Sequence, residues 1–206
     1  DGHFAPSGQQ CTITSADSDI IERITKELSI LDHTLKHKQK YDYNIISNLG
    51  LVNNDFRTYL RISGLEGTHS DTKFIPKEYL FNSIENRLNL LSGLIDSDGY
   101  VCKSAYEYYT TSEQLANDVE FLCESLGFTV TRTIKETSYL KNGEYIKCKD
   151  CHRLYIKTSA QFAHLAYCER KNKMCTKAQS YAHRCITNIE PLNEYAEMTC
   201  ITVEDD

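Results

Sequence analysis

Between Leu90 and Val101 the chain reads Leu-Leu-Ser-Gly-Leu-Ile-Asp-Ser-Asp-Gly-Tyr-Val, and no other stretch constrains its fold as much. Ile84, Leu88, Leu91 and Ile95 recur at helical spacing, which predicts a helix over 82–95 with one apolar stripe. Asp96 and Asp98 then fall on its last turn. That end of a helix already carries about half a negative charge, so each acid costs on the order of 0.3–1 kcal/mol there. A divalent cation is the natural compensation. Ser92 and Gly93 are small on an otherwise bulky helix and would let a second backbone approach. Two such helices side by side would bring two terminal carboxylates over one patch of substrate. The residues alone leave open a simpler reading, a buried helix that ends in a polar turn with a glycine cap. A calcium loop does not fit, because its first ligand position would be Leu94 and its twelfth Ala105.

The flanking sequence alternates helices and strands. Cys11–Ser15 predicts a strand, and Ser15-Ala16-Asp17-Ser18 offers caps for a helix carrying Ile20, Ile21, Ile24, Leu28 and Leu31. The polar run 36–48 reads as strands or a long loop, 55–65 as a short helix, and Ile75-Pro76 as an extended turn. Val101–Thr110 alternates as one half-buried strand. Ser112 caps a helix through Leu126, with Gly127 closing it. Thr129–Tyr139 and Glu144–Thr158 predict a hairpin around Lys141-Asn142-Gly143, 160–168 a short helix, and the tail to Asp206 strand and loop. A loose repeat runs through this order. Asp1-Gly2-His3-Phe4, a strand, Ser15 and a helix parallel Asp98-Gly99-Tyr100-Val101, a strand, Ser112 and a helix, offset by 97 to 98 residues. It predicts two related α/β halves about a pseudo-twofold axis.

Charge is distributed unevenly. The chain carries −6 overall, yet residues 131–184 hold twelve Lys/Arg against four Asp/Glu, a local +8. Screening limits repulsion from distant acids to about 8–10 Å, so this segment can bind phosphate or simply form a solvated face. At 40% apolar and 25% charged residues the composition is that of a globular protein. Neither an apolar run of membrane-spanning length nor a basic-then-apolar leader is present, which predicts no membrane partner and an intracellular location, nuclear or cytoplasmic. The odd count of nine cysteines fits reduced thiols. Cys148-Lys149-Asp150-Cys151-His152 has the spacing of a zinc half-site that Cys168 and Cys175 could complete, but their spacing is unusual, and zinc is not expected.

Leu91-Ser92-Gly93-Leu94-Ile95-Asp96-Ser97-Asp98-Gly99-Tyr100 resembles the LAGLIDADG motif of homing endonucleases almost letter for letter. Upstream, Lys73-Phe74-Ile75-Pro76-Lys77-Glu78-Tyr79-Leu80 followed by Arg87-Leu88 resembles the lead-in of intein endonucleases of the yeast vacuolar-ATPase and splicing-factor type. Asp1-Gly2 looks like the end of a first such motif, its helix missing from these residues. Arg184–Pro191 and Thr199–Asp206 look like the return into an intein splicing segment that, as it stands here, cannot splice.

The resemblance implies an α+β fold of two pseudo-symmetric αββαββα halves, 1–80 and 81–184, with motif helices at the centre and antiparallel sheets forming a saddle on DNA; 185–206 would begin the splicing segment. It implies metal binding by Asp1, Asp98, Gly2 and Gly99, with Asp96 supporting the turn, and one lysine per centre, Lys73 in one and Lys173, with Lys171 close behind, in the other. Mg²⁺, with Mn²⁺ as a substitute, would activate water and stabilise charge on phosphate and leaving oxygen. Expected DNA contacts are Lys103, Tyr106, Tyr108, Arg132, Lys135, Lys147, Lys149, Arg153 and Lys171, since a two-stranded ribbon fits the major groove. The implied protein is a monomer cutting both strands of a long asymmetric target, the intein-less allele of its host gene, and is flanked by host exteins in its precursor. Its rivals are a degenerate endonuclease that only binds DNA or braces the splicing domain, and an RNA maturase.

Overall fold

A computed structural model describes residues 2–4, 11–50, 55–102, 105–158, 165–174, 186–191 and 197. The expectations placed on Asp1, Lys103, Cys175 and 160–164 lie outside the described residues, as does most of the tail.

The backbone repeats a single ββαββ plan. Strands β1 (Gly2–Phe4) and β2 (Cys11–Thr14), helix α1 (Ser18–Ile30), and strands β3 (His33–Gln39) and β4 (Asp42–Ser47) build an antiparallel sheet in the order β1-β2-β4-β3. Helix α2 (Asp55–Ile62) follows, then α3 (Lys77–Leu80) and α4 (Ile84–Asp98). The second sheet uses β5 (Gly99–Cys102), β6 (Ala105–Thr110), α5 (Glu113–Ser125), β7 (Thr129–Lys135) and β10 (Cys151–Lys157), in the order β5-β6-β10-β7. Between β7 and β10 stand β8 (Ser138–Lys141) and β9 (Glu144–Lys147), and α6 (Glu169–Met174) follows β10. This is a mixed α+β fold with antiparallel sheets, as the sequence predicts.

The match between halves extends to detail. Helices α1 and α5 each span 13 residues, and β3 and β7 each span seven. Each helix stops by the same device, a leucine (Leu31, Leu126) followed by a residue at positive φ, Asp32 at 54° and Gly127 at 76°. Asp tolerates the left-handed region better than most side chains, so a glycine is dispensable at the first of these. The halves part at the next turn. Lys40-Tyr41 connects β3 to β4 directly, whereas β7 and β10 are joined through the β8–β9 ribbon around Asn142-Gly143, both at positive φ as a tight hairpin turn demands.

Three expectations need correcting. Val101–Thr110 is two antiparallel strands, with Val101 opposite Tyr106 and Cys102 opposite Ala105. The predicted long hairpin is broken at Thr137, whose carbonyl accepts from Cys148 N–H (2.8 Å) and whose hydroxyl donates to the Lys149 carbonyl (2.9 Å), so the ribbon pairs only with itself. The helix expected over 160–168 is absent from its described part, 165–168, and helix begins at Glu169.

Among the described residues, most buried apolar side chains belong to the second half. Leu91 and Ile95 of α4, Leu115, Val119 and Leu122 of α5, Tyr106 and Tyr108 of β6, and Leu154 and Ile156 of β10 form one core, which Ile75 and Leu80 join. At about 1.5–3 kcal/mol for each fully buried large side chain, this cluster dominates stabilisation. Among the described residues the first half contributes a smaller core, Cys11, Leu28 and Ile45 packed by Ile24, Leu35, Phe56 and Leu60.

Candidate active site

Helix α4 delivers Asp98 to the site. Ser83 caps its start by accepting from Asn86 N–H (3.2 Å), and Leu91, Ser92, Ile95 and Asp96 are its buried face. The helix runs to Asp98 itself, three residues beyond the periodic stripe. Gly99 then turns the chain into β5 with φ −85°, so its role is room, not handedness. A Cβ there would lie 2.6 Å from both Ile95 Cα and the Ile95 carbonyl oxygen. Asp98 is exposed at this turn, and its charge joins burial in pushing the Tyr108 hydroxyl well above its usual range.

Asp96 faces inward. It is buried and accepts two backbone bonds, from Tyr167 N–H (3.1 Å) and Cys168 N–H (3.0 Å), which tie the helix end to the segment after β10. Burial raises its pKa above the ordinary value while the two amides oppose that shift. Lys171 completes the helix end. Its ammonium donates to the carbonyls of Ile95 (2.6 Å), Asp96 (2.7 Å) and Gly99 (2.8 Å), using all three donors. A cation at a helix C-terminus opposes the macrodipole, and here it also offsets the misplaced acids. Burial lowers the Lys171 pKa, with Asp96 pulling the other way.

This placement corrects one expectation and locates another residue. Lys171 is not a surface DNA contact; it is 6% exposed against the motif helix. Lys173, expected at the second centre, is exposed and paired with Glu169 (3.1 Å) one turn away. The repeat offset held the signal, because Lys73 advanced by 97 or 98 residues falls on Arg170 or Lys171.

Lys73 lies half-exposed in the segment that precedes α3. Ser112, the N-cap of α5, accepts from Leu115 N–H and donates to the Lys73 carbonyl (2.6 Å), while Ile75 N–H donates to buried Asp118 (2.8 Å). The corresponding contact of the first half is built from side chains. Asp17, the N-cap of α1, makes no capping bond and instead binds Arg170 in a paired contact (2.9 and 3.1 Å). Asp19 accepts from Glu169 N–H (2.7 Å), and Arg23 lies 3.3 Å over the Tyr167 ring. Each lysine-bearing segment is thus docked on the N-terminal turn of a ββαββ helix. Asp17, Asp19 and Cys168 are also close enough to share a cation, but both carboxylates are already engaged.

Strand register decides which residues line the open face of the second sheet. Tyr106, Tyr108, Leu154 and Ile156 share the helix-covered face, so the two tyrosines expected to touch DNA belong to the core, at 0% and 2% exposure. Arg132 lies opposite Leu154 and turns toward α5, where it donates to Asn117 and to His152 Nδ1. The open face carries Tyr100, Glu107, Tyr109, Arg153, Tyr155, Lys157 and Lys135. Of the expected contacts, Lys135 and Arg153 are on it. Lys147 and Lys149 are exposed and paired with Glu136 and Asp71 respectively. Tyr100, Tyr109, Tyr155 and Lys157 were missed; stepping by two from Arg153 would have found the last two. Gly2 is exposed in β1, and Gly99 spends one carbonyl lone pair on Lys171.

Comparison with known proteins bears on this arrangement. A profile described as Homing endonuclease matches residues 74–182. A replicative DNA helicase DnaB of Mycobacterium intracellulare is 35% identical over 124 residues, 60% of this chain and 17% of that protein. An ATP-dependent DNA helicase Hel308 of Thermococcus kodakarensis is 33% identical over 124 residues, 57% of this chain and 11% of that one. The chain therefore spans less than a fifth of these curated relatives. Among solved structures, I-DmoI in complex with DNA and Mn aligns with a TM-score of 0.45 at 12% identity, covering 76% of this chain and 80% of that one. I-DmoI with DNA and Ca gives 0.45 at 11% identity, covering 84% and 87%.

Proposed function

The chain belongs to the homing endonuclease family, and from that premise we propose that it is a LAGLIDADG endonuclease unit of an intein, cutting both strands of a long asymmetric DNA target, the intein-less allele of its host gene. The observation that carries this reading is the end of α4, where the sequence of the motif coincides with an exposed carboxylate, Asp98, on a turn braced from behind by Asp96 and Lys171.

The donor set fits Mg²⁺, or Mn²⁺ in its place. The Asp98 carboxylate and the Gly99 carbonyl are hard oxygen ligands, and the helix end adds negative potential. Asp98 would hold the ion with Asp1 of the other motif. When bound it supplies a nucleophilic water and offsets charge on the phosphate. The chain's own residues do the rest. Lys171 holds the carbonyls of the helix end in place, so Asp98 is presented at a fixed position. Lys73, held through its carbonyl by Ser112, offers an ammonium to the phosphate charge. The open face of the second sheet, rich in Arg, Lys and Tyr, seats the duplex. The stripe of half-exposed Leu90, Leu94 and Ser97 and exposed Gly93 on α4 is where a partner motif helix would pack. We further propose that the protein works as a monomer and that its precursor carries host exteins.

The test is cleavage of a plasmid bearing the intein-less host site by the full-length protein in Mg²⁺, beside Asp98→Asn. Double-strand cutting that falls at least about 100-fold in the variant supports the reading. Binding without cutting in either metal would replace it with a DNA-binding remnant.

A further inference from the structure

A carboxylate sits near the middle of the face proposed to meet a polyanion. Glu107 lies on β6, opposite Tyr100 of β5, which is two residues from Asp98, and opposite Tyr155 of β10. It is 7% exposed and fully engaged on that face. Arg153 Nε donates to Glu107 Oε2 (3.1 Å), Arg153 Nη2 donates to Oε1, and the Tyr109 hydroxyl donates to Oε2. The carboxyl is held below its ordinary range, chiefly by Arg153, and the guanidinium above its own, so the pair is ionised. A phosphate-binding surface gains nothing from this arrangement. It places a negative charge beside the duplex and spends half an arginine on it.

The geometry points to base reading instead. A guanidinium has five N–H donors in two forks. Glu107 occupies the side fork, Nε with Nη2, and fixes the plane of the group. The end fork, Nη1 with the second Nη2 hydrogen, is left directed away from the carboxylate. That fork matches the O6 and N7 acceptors of guanine in the major groove. The Arg153 side chain is about one-third exposed, 32%, enough to be reached from the open face. Tyr109, which helps hold Glu107, is itself overlain by Lys135 at 5.4 Å. We propose that Glu107 is a positioning residue that holds Arg153 in the plane needed to select guanine at one base pair of the target. This rests on the reading of the sheet as a DNA face and adds the base and the residue that sets it.

The experiment is a base-preference profile of the full-length protein on duplexes randomised one position at a time, with salt dependence measured in parallel. The native protein is expected to prefer guanine at one position by about tenfold or more. E107Q should flatten that position to under about threefold and leave the other positions and the salt slope in place. R153K should do the same, because an ammonium lacks the fork. Should E107Q fold poorly, the exchange of Glu107→Arg with Arg153→Glu keeps the charge pair and moves the preference away from guanine. A pair that serves folding alone would lower the melting temperature of E107Q and leave the profile unchanged, which overturns the inference while the nuclease reading stands. A native protein that binds no duplex overturns both.

Discussion

The two ββαββ units share strand order, helix length and helix-ending device, yet they differ in what they bury and in what they show. On the face of the first sheet turned away from its core, Thr12 bonds to Asn44 (2.9 Å) and Thr14 to Asp42 (2.6 Å), and Lys36 is an exposed cation. On the second, Arg153, Lys135 and Lys157 stand among Tyr100, Tyr109 and Tyr155. Beneath these faces the second unit packs against α4 and the 73–80 segment, whereas the described core of the first is a few residues under α1 and α2. One backbone plan has therefore been loaded twice with different chemistry. Topology needs only alternation and turns, and those leave the outward positions open to variation.

Cavities should break the symmetry most visibly. Leu154→Ala is expected to lower unfolding free energy by about 2–5 kcal/mol, while Leu28→Ala should fall at the lower end of that range, because its smaller core collapses more readily. Denaturant unfolding of both variants measures the difference, and equal losses would show the two cores to be equivalent.

The helix end that distinguishes the second unit gives the next effect. Gly99→Ala puts a methyl group against the Ile95 backbone at 2.6 Å and should cost about 1–3 kcal/mol, with a larger loss of cutting than of DNA binding. If cutting and binding fall together, the turn serves general folding more than the placement of Asp98.

The smallest effect tests how the first unit is tied to the second. Arg170 holds the Asp17 carboxyl below its ordinary value of 3.8. A carboxylate so favoured in the folded state stabilises it fully above the unfolded value, and the contribution disappears as pH falls through the lower folded value. Asp17→Asn should remove that part of the acid-side loss, and at neutral pH it should cost no more than about 1 kcal/mol, since Arg170 is exposed. Melting temperatures across pH 2 to 6 (roughly the span over which carboxylates titrate) check it.

Much of this was legible from residues in order. The motif helix and its carboxylates, the repeat, the α5 helix with its Ser112 and Gly127 ends, and the Asn142-Gly143 turn depend on local chemistry, which a single sequence displays. The errors arise where a turn or a distant partner intervenes. Val101 and Tyr106 occupy the same face although five residues separate them, because a turn lies between; read as one strand, the alternation changes phase and sends Tyr106 and Tyr108 outward. Arg132 is one residue from an open-face position and turns to α5. The cap lies at Asp17, inside the predicted run Ser15–Ser18, but its carboxylate is spent on Arg170, 153 residues away, which no local reading shows.

What the sequence by itself determined is thus the identity of most helices and turns and of the acid that ends α4, since caps, periodicity and charge at a helix terminus act within a few residues. What only the tertiary structure decided is which cations serve that end and which side chains the sheet presents. Lys171 reaches the Ile95 carbonyl across 76 residues, and Glu107 meets Arg153 across 46. Contacts at that range are set by how strands register and helices dock, a balance of burial and hydrogen bonding that no single segment contains.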